Sequence, residues 1–284
     1  MRVGLQMFSV QESFQTDPAG TLERLAQIGY RYVEFFTHDA VKFPGVAAAI
    51  SAHALREQLA RVGIKAVGCH VGPLTEQTID PAIAYHSELG NAGLGMSIDF
   101  WNSRQNVIDR CTFYNRVGEK CRKAGLQFYY HNHYHEFQTF DGAQVIDLIM
   151  ANTDPELVKF ELDAYWAYRG TVDPAAVLRQ HPGRFILVHQ KDFPFSEARH
   201  LDLWTKLDRS KPLDRTSFDS VIRPEEFTEI GDGMMKVQDI VDAGVETGVP
   251  YILVEQDAGR GKTEFERVER SLTNMRKMRG LDLS

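Results

Sequence analysis

Cysteine is scarce in this chain. Cys69, Cys111 and Cys121 form an odd set without paired short spacings, which excludes a disulfide framework or a zinc knuckle and fits reduced thiols in the cytoplasm. Long apolar runs are missing too. No stretch of about 18 apolar residues occurs, so no membrane-spanning helix is expected. The N-terminus opens directly into Val3-Gly4-Leu5-Gln6-Met7-Phe8, without the basic and then apolar pattern of a signal peptide. Positive charge is also in deficit: 39 acidic against 32 basic residues give a net charge of −7, which repels a phosphate backbone. The densest basic stretch, Arg199 to Arg215, is interrupted by Asp202, Asp208 and Asp214 and reads as a mixed, solvated loop. Neither nucleic acid nor membrane is an expected partner, whereas a homo-oligomer is compatible with the sequence.

What the chain does have is a repeated phrase: a helical pattern, a turn, then a short β-rich run closing on a polar residue. Eight such runs occur, at Val3–Phe8, Tyr32–Phe36, Lys65–His70, Leu94–Phe100, Gln127–His131, Val158–Asp163, Phe185–His189 and Tyr251–Glu255. Gly29, Gly63, Gly93, Gly125, Gly183 and Gly248 precede six of them, where a left-handed residue closes a helix. Leu22, Leu25, Ala26 and Gly29 fall at helical spacing, as do Val237, Ile240, Val241 and Gly244, so each intervening helix buries one face. Asp17-Pro18, Asp80-Pro81 and Asp173-Pro174 are expected helix starts, with aspartate as the cap.

Runs such as Phe185-Ile186-Leu187-Val188 are apolar on both faces, as a parallel strand covered on each side requires. With 284 residues, eight strands and intervening helices predict a single α/β domain, a (β/α)8 TIM barrel over 1–284. An open doubly wound sheet would usually carry a glycine-rich phosphate loop after its first strand. Here that place holds Ser9-Val10-Gln11-Glu12. Strand ends lie 26 to 34 residues apart until the seventh, after which 66 residues separate His189 from Glu255. The excess, 191–233, is an extended loop expected to serve as a lid or substrate wall.

Loops at the C-terminal end of such a barrel build its active site, and four consecutive strands close on chemistry-bearing residues. These are His131-Asn132-His133 with Glu136 on the fifth, Glu161-Leu162-Asp163 on the sixth, His189-Gln190-Lys191-Asp192 on the seventh, and Glu255-Gln256-Asp257 on the eighth. Carboxylates and imidazoles without a nearby thiolate suit one divalent ion, Mn²⁺, Co²⁺, Mg²⁺ or Zn²⁺, with positions left for substrate oxygens. Asp163, His189 and Glu255 are the expected ligands. His70, at the third strand end, is expected to meet a sugar hydroxyl. Trp101 and Trp166 follow strand ends and offer flat faces to a sugar ring. Gln6 and Glu34 read as polar barrel filling.

At these residues the sequence resembles the sugar phosphate isomerase/epimerase family built on the xylose-isomerase-like barrel. The likeness runs from Gly4-Leu5-Gln6-Met7-Phe8-Ser9-Val10 through Tyr130-His131-Asn132-His133-Tyr134-His135-Glu136-Phe137, Asp163-Ala164-Tyr165-Trp166, His189-Gln190-Lys191-Asp192 and Glu229-Ile230-Gly231-Asp232-Gly233 to Val254-Glu255-Gln256-Asp257. It implies one divalent metal held by strand-end carboxylates and a histidine. Where epimerases of the family place a metal-binding glutamate on the fifth strand, this chain has His131. Either His131 takes that place or Glu136 folds back from the loop, and Glu136 is preferred as the ligand because an oxygen donor preserves the set. The His-Asn-His run also resembles inosose dehydratase and keto-glycoside lyases.

The resemblance implies a small carbohydrate substrate and a reaction that begins with a metal on a carbonyl and its neighbouring hydroxyl. That ion acidifies the adjacent C–H by stabilising an enediolate, and Glu255, Glu136, His131 or His133 removes the proton. Lys191 steadies the developing oxyanion or donates a proton. Isomerase or epimerase chemistry is the first expectation. A dehydratase or lyase acting on a keto sugar, keto-glycoside or inosose is the second, and a non-catalytic carbohydrate-binding barrel the third.

Overall fold

The computed structural model describes residues 1–259 and 261–284. Eight parallel strands close into a barrel: β1 Arg2–Gln6, β2 Tyr32–Thr37, β3 Lys65–Val71, β4 Gly93–Met96, β5 Gln127–His131, β6 Val158–Asp163, β7 Phe185–Gln190 and β8 Tyr251–Val254. Each pairs with its neighbours in chain order, and β8 returns to β1 through Arg2 opposite Tyr251 and Leu5 opposite Val254. One helix after each strand covers the outside: α1 Pro18–Ile28, α2 Ala52–Val62, α3 Ile79–Leu89, α4 Arg104–Lys123, α5 Val145–Asn152, α6 Pro174–Gln180, α7 Val237–Glu246 and α8 Glu264–Met275. This is the expected (β/α)8 barrel. No helix among the described residues is long and apolar enough to cross a membrane.

Local expectations hold where a side chain has a free amide to serve. Asp17 accepts from the Gly20 N–H, and Asp173 from those of Ala175 and Ala176; each cap stabilises its helix by about 1 kcal/mol. Two expectations are corrected. Asp80 sits in the first turn of α3, which begins one residue earlier after Thr78, so it is not the cap. Gly93 lies inside β4, and the left-handed residue that ends α3 is Gly90, with φ 80°.

Side chains alternate along a strand, so inward positions recur every second residue. At the N-terminal end of the barrel these positions hold Val67, Tyr129, Leu187 and Leu253, which form a cluster of their own. Two residues beyond Tyr129, Leu187 and Leu253 come His131, His189 and Glu255, and three beyond Val67 comes His70. The barrel thus changes from apolar to ionisable within one step of its inward pattern. Gly68 and Gly95 make the room: a Cβ at Gly68 would stand 2.2 Å from the Tyr129 hydroxyl, and one at Gly95 2.4 Å from the Tyr129 ring.

The extended segment 191–233 is a wall built from short helical turns, among them Phe195–His200, Leu203–Thr205, Arg215–Asp219 and Pro224–Glu226. Buried tethers fix it to the barrel. The Asp192 carboxylate accepts from the backbone N–H of Phe193, Gly231, Gly233 and Met235. Tyr134 and Tyr165 donate their hydroxyls to the carbonyls of Phe218 and Glu226, and Arg169 pairs with Glu226 at 2.8 Å.

Candidate metal centre and substrate cavity

A cavity of about 700 Å³ opens at the C-terminal mouth, lined on its barrel side by Gln6, His70, His131, His133, Lys191, Glu255 and Asp257. The loop wall contributes Arg215, Phe218, Ile222 and Phe227. Beneath the cavity the ligand atoms of Asp163, His189 and Glu255 lie within 4.8 Å of one another, as do those of His70, His131, Glu161 and His189. His189 belongs to both groups. This cluster of buried histidine and carboxylate side chains forms a divalent-metal-binding site.

Hydrogen bonds identify which nitrogen of each imidazole carries a proton, because a carboxylate only accepts. His189 Nε2 lies 2.5 Å from Glu34 Oε2, so one proton sits on Nε2, and although burial would lower the ring, Glu161, Glu255 and Glu34 hold it well above the usual histidine range. Nδ1 stands 2.8 Å from Glu255 Oε2. A proton on Nδ1 or a cation shared with Glu255 satisfies that contact. A carboxylate holding the far nitrogen of a ligating histidine is also the usual support of such a ligand. Glu34 is itself gripped by Gln6 Nε2 at 2.7 Å and by the Tyr129 hydroxyl.

Charge balance gives the same answer. Glu34, Glu161, Asp163, Glu255 and Asp257 converge here, and among the described residues Lys191 is the ammonium that faces them. Its Nζ lies 2.6 Å from Asp163, 2.5 Å from Glu255 and 3.6 Å from Asp257. Buried carboxylates in such excess require another cation or protons. Lys191 does not pair with Asp192, which is occupied by the backbone of the wall. Burial would lower the Lys191 ammonium, but Asp163, Asp257 and Glu255 hold it well above the usual lysine range. Burial would raise Glu255, yet Lys191 and His189 keep it well below the ordinary carboxylate value. Asp257 is pushed up to about 7, first by burial and then by Glu255 and Asp163.

Glu161 organises the histidines. Its Oε2 accepts from His70 Nε2 at 2.6 Å and from His131 Nδ1 at 3.0 Å. His131 therefore keeps a free Nε2 beside the cavity, and burial, outweighing Glu161, lowers the ring to about 3, so it is neutral at pH 7. His133 lines the same face with a buried, unpartnered Nδ1.

The residues singled out in the sequence divide. Asp163, His189 and Glu255 come together, with Lys191 between two of them, and His70, His131, His133 and Trp166 line the cavity. Glu136 lies elsewhere, grouped with His133 and His135. Its Oε1 accepts from the Tyr130 hydroxyl and its Oε2 from the His133 N–H, both at 2.8 Å. Burial pushes it up to about 8. Trp101 stacks on His135 at 5.4 Å and is not part of the cavity lining. The sequence pointed to no separate role for Glu34, Glu161 or Asp257, although Glu161 precedes Asp163 by two, on one face of β6, and Asp257 follows Glu255 by two.

No family model matches the chain. It is 28% identical over 151 residues to inosose dehydratase of Lacticaseibacillus casei, covering 52% of this chain and 46% of that enzyme. To inosose dehydratase of Geobacillus kaustophilus it is 33% identical over 119 residues, covering 42% and 35%. The matched region thus spans less than half the length of these curated relatives. Among solved structures, a sugar phosphate isomerase/epimerase from Parabacteroides distasonis superposes with a TM-score of 0.80 at 26% identity, covering 99% of this chain and 95% of that one. In fold and in its cluster of histidines and carboxylates the chain is thus similar to a sugar phosphate isomerase/epimerase barrel and, over part of its length, to inosose dehydratase.

Proposed function

We propose that the chain removes a proton next to the carbonyl of a small polyhydroxylated ketone and carries the reaction on to loss of a β-oxygen substituent, as a dehydratase or lyase does. The supporting observation is the sealed position of Glu136. Epimerisation needs a second base on the opposite face of the carbon, and the fifth strand offers His131 and His133 to the cavity instead of that carboxylate. The two carboxylates that line this end of the cavity, Glu255 and Asp257, both follow one strand.

Asp163, His189 through Nδ1, and Glu255 hold the metal in this reading. When bound, a divalent ion supplies Lewis-acid polarisation of a carbonyl and its neighbouring hydroxyl. His131 accepts the proton at Nε2 while Glu161 steadies the imidazolium that results, the role a carboxylate plays behind a histidine base. Lys191, kept protonated by its carboxylates, faces developing negative charge on oxygen. Asp257, poised near neutrality, returns a proton to the departing oxygen. His70 and Trp166 position the ring.

An isomerase or epimerase outcome shares the first step and is favoured by the likeness to the Parabacteroides structure. Incubating the metal-loaded protein with keto sugars and inososes in D2O separates the two. An absorbing enone with loss of water or alcohol supports elimination; a new epimer carrying deuterium supports the second reading. Neither exchange nor product would overturn both.

A further inference from the structure

The cavity lining is of two chemical kinds. Part of it is the ionisable side chains described above, and part is Phe8, Phe36, Ile98, Phe218, Ile222 and Phe227. At about 700 Å³ the cavity falls in the range that encloses drug-sized ligands of about 300–1,000 Å³, so an unsubstituted monosaccharide leaves the apolar part uncovered. Phe8 and Phe36 meet edge to face at 5.3 Å on the side of β1 and β2, and Phe218 and Phe227 belong to the loop wall. The apolar groups therefore come from both the barrel and the wall.

Anion recognition is built out of the same mouth. Among the described residues two cationic side chains line the cavity, and both are already matched. Lys191 is held by Asp163 and Glu255, and Arg215 places Nε 2.7 Å from Asp219. Barrels of this class commonly bind phosphate on backbone amides of the loops after the seventh and eighth strands. Here the amides of Phe193, Gly231, Gly233 and Met235 converge after β7 as such a nest would, but the chain's own Asp192 carboxylate fills it. Among the described residues a phosphate dianion in this cavity would face Asp219, Glu255 and Asp257.

We propose that this site takes an unphosphorylated sugar or cyclitol carrying an apolar, ring-sized substituent, with the polyol on the ionisable part and the substituent between Phe8 and the Phe218–Phe227 wall. The proposal names a substrate class for the function proposed above and rests on that reading for the ionisable part. Its test is a binding measurement, so that it fails or stands independently of turnover.

Calorimetric titration of the Mn²⁺-loaded full chain with phenyl glucoside, glucose and glucose 6-phosphate is the experiment. Phenyl glucoside is expected to bind at least about tenfold more tightly than glucose, since a buried ring removes a large apolar area from water, and glucose 6-phosphate no more tightly than glucose. Ile222→Ser should erase most of the phenyl advantage while leaving glucose affinity unchanged, and Phe8→Ala should do the same from the other wall. A phosphate ester that binds better than glucose, or a phenyl glucoside that binds no better, overturns the proposal. Aryl-selective binding without any deuterium exchange or product would sink the proposed reaction and leave the substrate class standing.

Discussion

Two buried clusters in this barrel are made of nearly the same residues and behave as opposites. His133, His135 and Glu136 form one; Asp163, His189 and Glu255 form the other. In the first, both Glu136 oxygens have donors, and His135 donates Nε2–H to the Asp99 carbonyl at 2.7 Å while stacking between Phe100 and Trp101. In the second, His189 Nδ1 and Glu255 face each other at 2.8 Å without an aligned hydrogen bond, beside an open cavity. Residue type does not separate a structural cluster from a reactive one. What separates them is that both Glu136 oxygens have found donors within the protein, although His133 and His135 each keep an unpartnered Nδ1.

Breaking the open cluster should have the largest effect. His131→Ala removes the proposed base, and kcat on the substrate identified in D2O is expected to fall by about 10²–10⁴-fold with metal content unchanged; a loss below tenfold would place the base elsewhere. Glu34→Gln leaves every ligand in place but weakens the support behind His189. Metal affinity is expected to drop by about 10–100-fold, read by competition with a chelating dye, and an unchanged affinity would show that the buried Glu34 contact is only packing.

Glu136→Gln probes the closed cluster and should affect activity least, within about threefold, because a Gln amide can still accept from the His133 N–H while donating to the Tyr130 oxygen. Its signature is in stability. Glu136 in the folded protein titrates at about 8, above the value of about 4.3 in an unfolded chain. Its contribution is therefore fully present below about pH 4.3 and is lost as pH rises toward 8, a change on the order of 5 kcal/mol. The Tm of the wild type should fall relative to that of Glu136→Gln across this window, and parallel curves would contradict the account.

The strands were legible because turn residues and β-rich runs repeat along the chain, and all eight strands begin within one residue of the expected place. Asp163, His189 and Glu255 were legible for the same reason, since each closes a strand. Glu34 and Glu161 lie inside strands, and their role depends on the register that sets them opposite His70, His131 and His189, which no single segment reveals. Glu161 still had a local signal, its even spacing from Asp163. Glu136 had none: whether the turn at His135–Phe137 aims its carboxylate at the mouth or back at Tyr130 is decided by a hydroxyl six residues upstream. Gly90 in place of Gly93 and Thr78 ahead of Asp80 show the same limit at helix ends, where competing residues lie within three positions.

Metal content, measured by elemental analysis on the wild type, Asp163→Ala and Glu136→Gln purified side by side, tests the central claim most directly. One divalent ion per chain is expected in the wild type and in Glu136→Gln, and none in Asp163→Ala. An empty Glu136→Gln beside a loaded Asp163→Ala would contradict the account and move the metal to the cluster described here as closed.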